Sequence, residues 1–103
     1  MFMMGADAAP VQIGHLTVDL ASYRATFEGR DLQVSTTELE LLAMLAANSR
    51  RVLSRVELAA ALRLTRARSV DVMLTRLRHE LGREFLRNVR GRGWILDPAA
   101  LGG

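Results

Sequence analysis

Residues 68–81 read RSVDVMLTRLRHEL, and the placement of their apolar side chains decides how the rest of the chain is understood. At about 100° per residue, Val70, Leu74, Leu77 and Leu81 fall within one narrow arc of a helix, with Met73 at its margin. That arc is a buried face. Opposite it lie Arg68, Val72, Thr75, Arg76 and His79, and Ser69 and Arg78 stand on the two flanks. An outer face that combines guanidinium forks with one aliphatic side chain suits the DNA major groove. Arginine bonds guanine O6 and N7 or phosphate, and a small apolar group meets a thymine methyl. The same periodicity occurs in ordinary surface helices, so the flanking sequence has to discriminate.

On the C-terminal side, Gly82 ends the helix, and EFLRNV and WIL form two apolar strands around RGRG. The paired glycines permit the positive φ of a tight hairpin and put Arg90 and Arg92 at its tip. This glycine-rich turn joins two strands and does not open a helix, which separates it from a nucleotide-binding loop. A basic hairpin after an arginine-faced helix reads as a wing lying along DNA, and Trp94 reads as a core residue beneath it.

On the N-terminal side, two capping boxes start two further helices. Ser35 with Glu38, and Ser54 with Glu57, have the spacing at which a hydroxyl bonds the third amide and the carboxylate reaches back to the cap amide. The first helix presents Leu39, Leu42, Leu45 and Ala46, widened by Leu41, and Asn48 offers a left-handed stop. Its acids read as capping and solvated groups rather than catalytic ones. The second is short, carries Val56, Leu58, Ala59 and Leu62, and follows a short RVL strand. ALRLTRARS leads directly into the arginine-faced helix, so the last two helices form a helix-turn-helix. Ser69, Asp71 or both favour the start of the third helix.

Before the helices, residues 11–34 alternate in short runs. Leu16, Val18 and Leu20 form one set, Tyr23, Ala25 and Phe27 another, and a Glu28–Gly29 turn precedes Leu32 and Val34. This predicts an antiparallel sheet of up to four strands, with His15 a surface residue. The fold class is α+β: an N-terminal four-stranded antiparallel sheet, three helices and a C-terminal β-hairpin wing, over residues 11–98. Residues 1–10 and 99–103 read as tails.

The charge balance agrees. Residues 1–49 carry two arginines and six acids, a net −4, whereas residues 50–103 carry twelve arginines and five acids, a net +7. The C-terminal half therefore faces a polyanion. All 14 basic residues are arginine, a bias that base composition alone can produce, so their placement carries the argument. With 103 residues the chain fits one domain with a modest core. The absence of cysteine excludes disulfides and thiolate zinc sites, and His15 and His79 lack metal-like spacing, so no metal or other cofactor is expected. No apolar run approaches the roughly 18 residues of a membrane span, and MFMMGADAAP lacks the marks of a signal peptide. The expected compartment is the cytoplasm, without membrane contact. No nucleophile, base and orienting group meet at usable spacing, so an enzyme is not expected.

The runs STTELELLAML, NSRRVLSRVEL, RSVDVMLTRLRHELG and VRGRGWIL, in this order, resemble the winged helix-turn-helix effector domain of two-component response regulators of the OmpR and PhoB type. The resemblance covers about residues 11–97. It implies a transcriptional regulator that binds double-stranded DNA sequence-specifically, with the third helix in the major groove, the wing in the adjacent minor groove, and pairing as a homodimer on direct repeats or half-sites. It also implies that Arg68, Val72, Met73, Arg76 and Arg78 meet bases or phosphates and that Arg90 enters the minor groove. Arg76 and Val72 are assigned to base reading, and Arg68, Arg78 and Ser69 to phosphates. Met73, Thr75, His79, Arg66 and Arg92 are second-rank contacts.

Three departures from the family pattern matter. LRLTRARS is shorter than the family's loop before the third helix and lacks its tryptophan, which argues against RNA polymerase contact through that loop. Met73 stands where polar residues are common, and Thr75 where a basic residue is common. None of Asp7, Asp19, Asp31, Asp71 or Asp97 has the setting of a receiver's phosphorylated aspartate, so the resemblance is to an effector domain without its receiver, either a fragment or a free domain. The alternative reading is a winged-helix module that binds protein through its acidic sheet or basic helix.

Overall fold

The computed structural model describes residues 10–64 and 66–98; apart from Pro10, the expected tails lie outside these residues. Strands β1 (Val11–Ile13), β2 (Leu16–Asp19), β3 (Arg24–Phe27) and β4 (Arg30–Asp31) form an antiparallel sheet in sequence order. Its register opposes Leu16 to Phe27 and Val18 to Ala25, and all four are buried. The period of two in a strand puts alternate residues on one face, and here that face is the core side. Glu28 and Gly29, at φ 53° and 80°, make the two-residue turn between β3 and β4.

Tyr23 departs from the expected alternation. It lies in the β2–β3 turn at φ 55° and is 59% exposed. Asp19 causes this: its carboxylate accepts the Ala21 amide at 3.0 Å and the Ser22 hydroxyl at 2.9 Å, which folds the chain into a side-chain-capped turn before β3 can start. Strand β4 stops at Asp31, short of the expected Leu32 and Val34, although Leu32 is buried and still donates its amide to Ala25.

Helices α1 (Thr36–Ala47), α2 (Arg55–Ala61) and α3 (Arg68–Leu81) follow. Both capping boxes form as expected, Ser35 with Glu38 and Ser54 with Glu57. Asn48 does not take the left-handed conformation: its φ is −118°, its side-chain amide donates to the Met44 carbonyl at 2.8 Å, and Arg50 turns the chain at φ 68°. Helix α3 starts without a side-chain cap, so Ser69 does not cap it, and Asp71 in the first turn faces other partners. Its buried residues are Val70, Leu74, Leu77 and Leu81, the arc expected from spacing.

Strands β5 (Leu86–Val89) and β6 (Gly93–Leu96) form the C-terminal hairpin. The RVL segment contributes one residue: Leu53 and Trp94 exchange two backbone hydrogen bonds, each 2.9 Å. Gly93 is required there, since a Cβ would stand 2.1 Å from the Leu53 carbonyl oxygen. Helix α1 packs against β1, β2, β6 and α3, while α3 packs on α2, α1 and β5. One continuous core results. Phe27 of the sheet meets Phe85 before the hairpin with ring centroids 5.5 Å apart, and Trp94 is 2% exposed among the leucines. No helix among the described residues is long and apolar enough to cross a membrane.

Candidate nucleic-acid interface

With Val70, Leu74, Leu77 and Leu81 buried, α3 turns Arg68, Val72, Thr75, Arg76 and His79 outward. Val72 is 68% exposed, an apolar side chain held in solvent by the helix period. Ser69, Met73 and Arg78 are half-buried on the flanks, and Met73 leans against the core. The Arg78 guanidinium sits 5.6 Å above the centroid of the Trp94 ring, a cation–π contact that orients it toward the hairpin.

The hairpin adds Arg90 and Arg92, both exposed at its tip between Val89 and Gly93. The Arg92 amide donates to the Val89 carbonyl at 2.9 Å, and Gly91 at φ 75° closes the turn. Among the described residues, Arg66, Arg68, Arg78, Arg90 and Arg92 have no carboxylate partner, whereas Arg24, Arg51, Arg55, Arg76 and Arg87 are each paired. Unpaired guanidinium groups keep their full field for an incoming anion.

Between the start of α2, the outer flank of α3 and the hairpin lies an open cleft of about 490 Å³. Thr75, Arg78 and Arg92, expected from sequence, line it together with Arg55, Val56 and Asn88, which were not. The signal for Arg55 and Val56 was available: the Ser54 cap puts them on the first turn of α2, and Val56 is 65% exposed. Arg68, His79 and Arg90 are exposed but stand outside this lining.

A network at the cleft floor ties its walls together. The Trp94 indole N–H donates to Asp71 Oδ1 at 2.9 Å, and Arg55 Nη1 donates to Asp71 Oδ2 at 2.6 Å. Asp71 therefore holds hairpin and α2 to the first turn of α3, a role sequence spacing could not show.

Arg76, expected to read bases, is bonded to acceptors of the protein. Its Nε donates to Glu38 Oε2 at 2.8 Å, its Nη2 to Glu38 Oε1 and to the Gln33 carbonyl at 2.9 Å, and its Nη1 to Glu80 at 3.3 Å. The fork faces α1. Hydrogen bonding from Arg76 holds the Glu38 carboxyl below its ordinary pKa, outweighing a partial burial that pushes the other way, and the Glu38 carboxylate raises Arg76 in turn.

Residues 29–96 match the family described as "Transcriptional regulatory protein, C terminal". The chain is 36% identical over 100 residues to the transcriptional regulatory protein TrcR of Mycobacterium tuberculosis, a match covering 90% of this chain and 38% of that one. It is 31% identical over 97 residues to the phosphate regulon transcriptional regulatory protein PhoB of Pseudomonas aeruginosa, covering 87% and 42%. The chain thus spans about two fifths of the length of these curated relatives. Among solved structures, it is similar to the RstA DNA-binding domain of Klebsiella pneumoniae, solved in complex with the RstA box, at 27% identity and a TM-score of 0.76. That match covers 88% of this chain and 99% of that one.

Proposed function

Because the chain belongs to the family of transcriptional-regulator C-terminal domains of the OmpR and PhoB type, we propose that it is a sequence-specific double-stranded DNA-binding transcriptional regulator. The observation that carries this reading is the exposed ridge of α3 beside the hairpin tip, which presents Val72 together with Arg68, Arg78, Arg90 and Arg92, whose guanidinium groups lack carboxylate partners among the described residues. Helix α3 enters the major groove, with Val72, Thr75 and His79 toward base edges. Arg68, Ser69 and Arg78 meet phosphates, Met73 supports the helix margin, and the hairpin carries Arg90 and Arg92 to the minor groove. The cleft between α2, α3 and the hairpin takes the phosphate backbone. The chain acts in the cytoplasm and pairs as a homodimer on adjacent half-sites. The connection of residues 62–67 between α2 and α3 is too short to offer a polymerase-binding loop, so no polymerase contact is assigned to it.

The test is enrichment of duplexes from a random pool by the purified chain, followed by salt titration. Binding should weaken linearly in log–log form with salt. Arg68→Ala should weaken enriched and random duplexes alike and reduce the salt slope by about one. Val72→Ala should weaken only the enriched duplex, by about 1 kcal/mol at one base pair. Absence of salt-dependent binding to any duplex would replace this reading with that of a protein-interaction module.

A further inference from the structure

We propose that Arg76 is a positioning residue that fixes α3 against the start of α1 through Glu38 and does not itself meet a base. The proposal rests on the DNA-binding reading above and reassigns the work within it. Arg76 makes four hydrogen bonds to protein acceptors, two of them a fork on the Glu38 carboxylate. The Glu38 side chain is 9% exposed, and its Oε1 also accepts the Ser35 amide that begins α1.

Swinging Arg76 toward a base edge would strip a nearly buried carboxylate of its charge partner and release the Gln33 carbonyl. Such groups are costly to leave unpaired. Arg68 and Arg78 break no ion pair when they turn to DNA. Arg76 is therefore the arginine on α3 least free to read. Its contribution is geometric: contact side chains work only when a supporting shell holds them within a fraction of an ångström of the productive position. Glu38 and Gln33 set the rotation of the helix that carries Val72, Thr75 and His79, and Glu80, one turn on in the same helix, steadies the Arg76 side chain.

The experiment compares wild type, Arg76→Gln, Glu38→Gln and the double variant on the duplex enriched by wild type and on a random duplex, with circular dichroism confirming that each is folded. The Arg76 Nε–H signal is followed by NMR in wild type, free and duplex-bound, and in Glu38→Gln. Glu38→Gln, a change at a residue that touches no DNA, should lower affinity for the enriched duplex about tenfold and leave the random duplex within about twofold. Arg76→Gln should do the same, the double variant should fall no further, and all salt slopes should match wild type. The Nε–H signal should persist when duplex is added and disappear in Glu38→Gln.

A salt slope lower by about one in Arg76→Gln, or a Glu38→Gln protein that discriminates as wild type does, overturns the proposal in favour of direct contact. A wild-type chain that enriches no duplex refutes the DNA reading instead. The clamp is then judged by the Nε–H signal alone, and a signal that survives Glu38→Gln overturns it.

Discussion

Glu38 shows how one side chain serves two elements. Its place three residues after Ser35 announces a cap, and the cap forms at 2.9 and 3.1 Å. Its second partner, Arg76, lies 38 positions away, and no local spacing connects them. The pair predicts a pH dependence of stability. A carboxyl held below its ordinary pKa in the fold contributes fully above the ordinary carboxylate range, and the contribution is lost as pH falls through the lowered folded value. Glu38→Gln retains a competent capping-box residue and removes the ion pair. It should cost about 2 kcal/mol at pH 7, less than a fully buried pair because Arg76 is 46% exposed. Urea unfolding of the two proteins should differ at pH 7 and converge in strong acid; parallel curves at both values would show that the carboxylate charge contributes nothing.

At the scale of elements, α3 was the most legible part of the chain, because a helix with one buried arc writes its period directly into sequence. Its N-terminus was not. Spacing nominated Ser69, Asp71 or both to favour that end; the N-cap residue, Ala67, brings no side-chain cap, and Asp71, although it stands in the first turn, also bonds Trp94 and Arg55 through its carboxylate. The bond joins a helix to a hairpin 23 residues on, so only packing could reveal it. Asp71→Ala should orphan the buried indole N–H and cost about 1–3 kcal/mol, with faster amide exchange in β6. A loss below about 0.5 kcal/mol with unchanged exchange would mean that the hairpin does not depend on Asp71.

At the scale of the molecule, the charge asymmetry between the two halves of the chain becomes a spatial one through pairing. Arg24, Arg76 and Arg87 are neutralised by Asp31, Glu38 and Asp97, while Arg68, Arg78, Arg90 and Arg92 of α3 and the hairpin have no carboxylate partner among the described residues. Sheet, helices and hairpin share one core, bridged by Phe27 and Phe85. They should therefore unfold together. Trp94, the only tryptophan, reports on the hairpin by fluorescence, and far-ultraviolet circular dichroism reports on the helices. The two urea transitions should coincide; a separate, earlier fluorescence transition would make the hairpin an independent unit.

The sequence by itself determined the element order, the two capping boxes, the buried arc of α3 and the basic hairpin. Each depends on interactions within a few residues or on a repeating period, and these are written locally. Only the tertiary structure decided which arginines remain open. An ion pair forms where two distant elements meet, and residues 76 and 38 are neighbours only because α3 crosses the start of α1. The period of α3 already turned Val72 outward, but only the crossing brings the Arg76 fork onto the Glu38 carboxylate, because no local spacing connects the two residues.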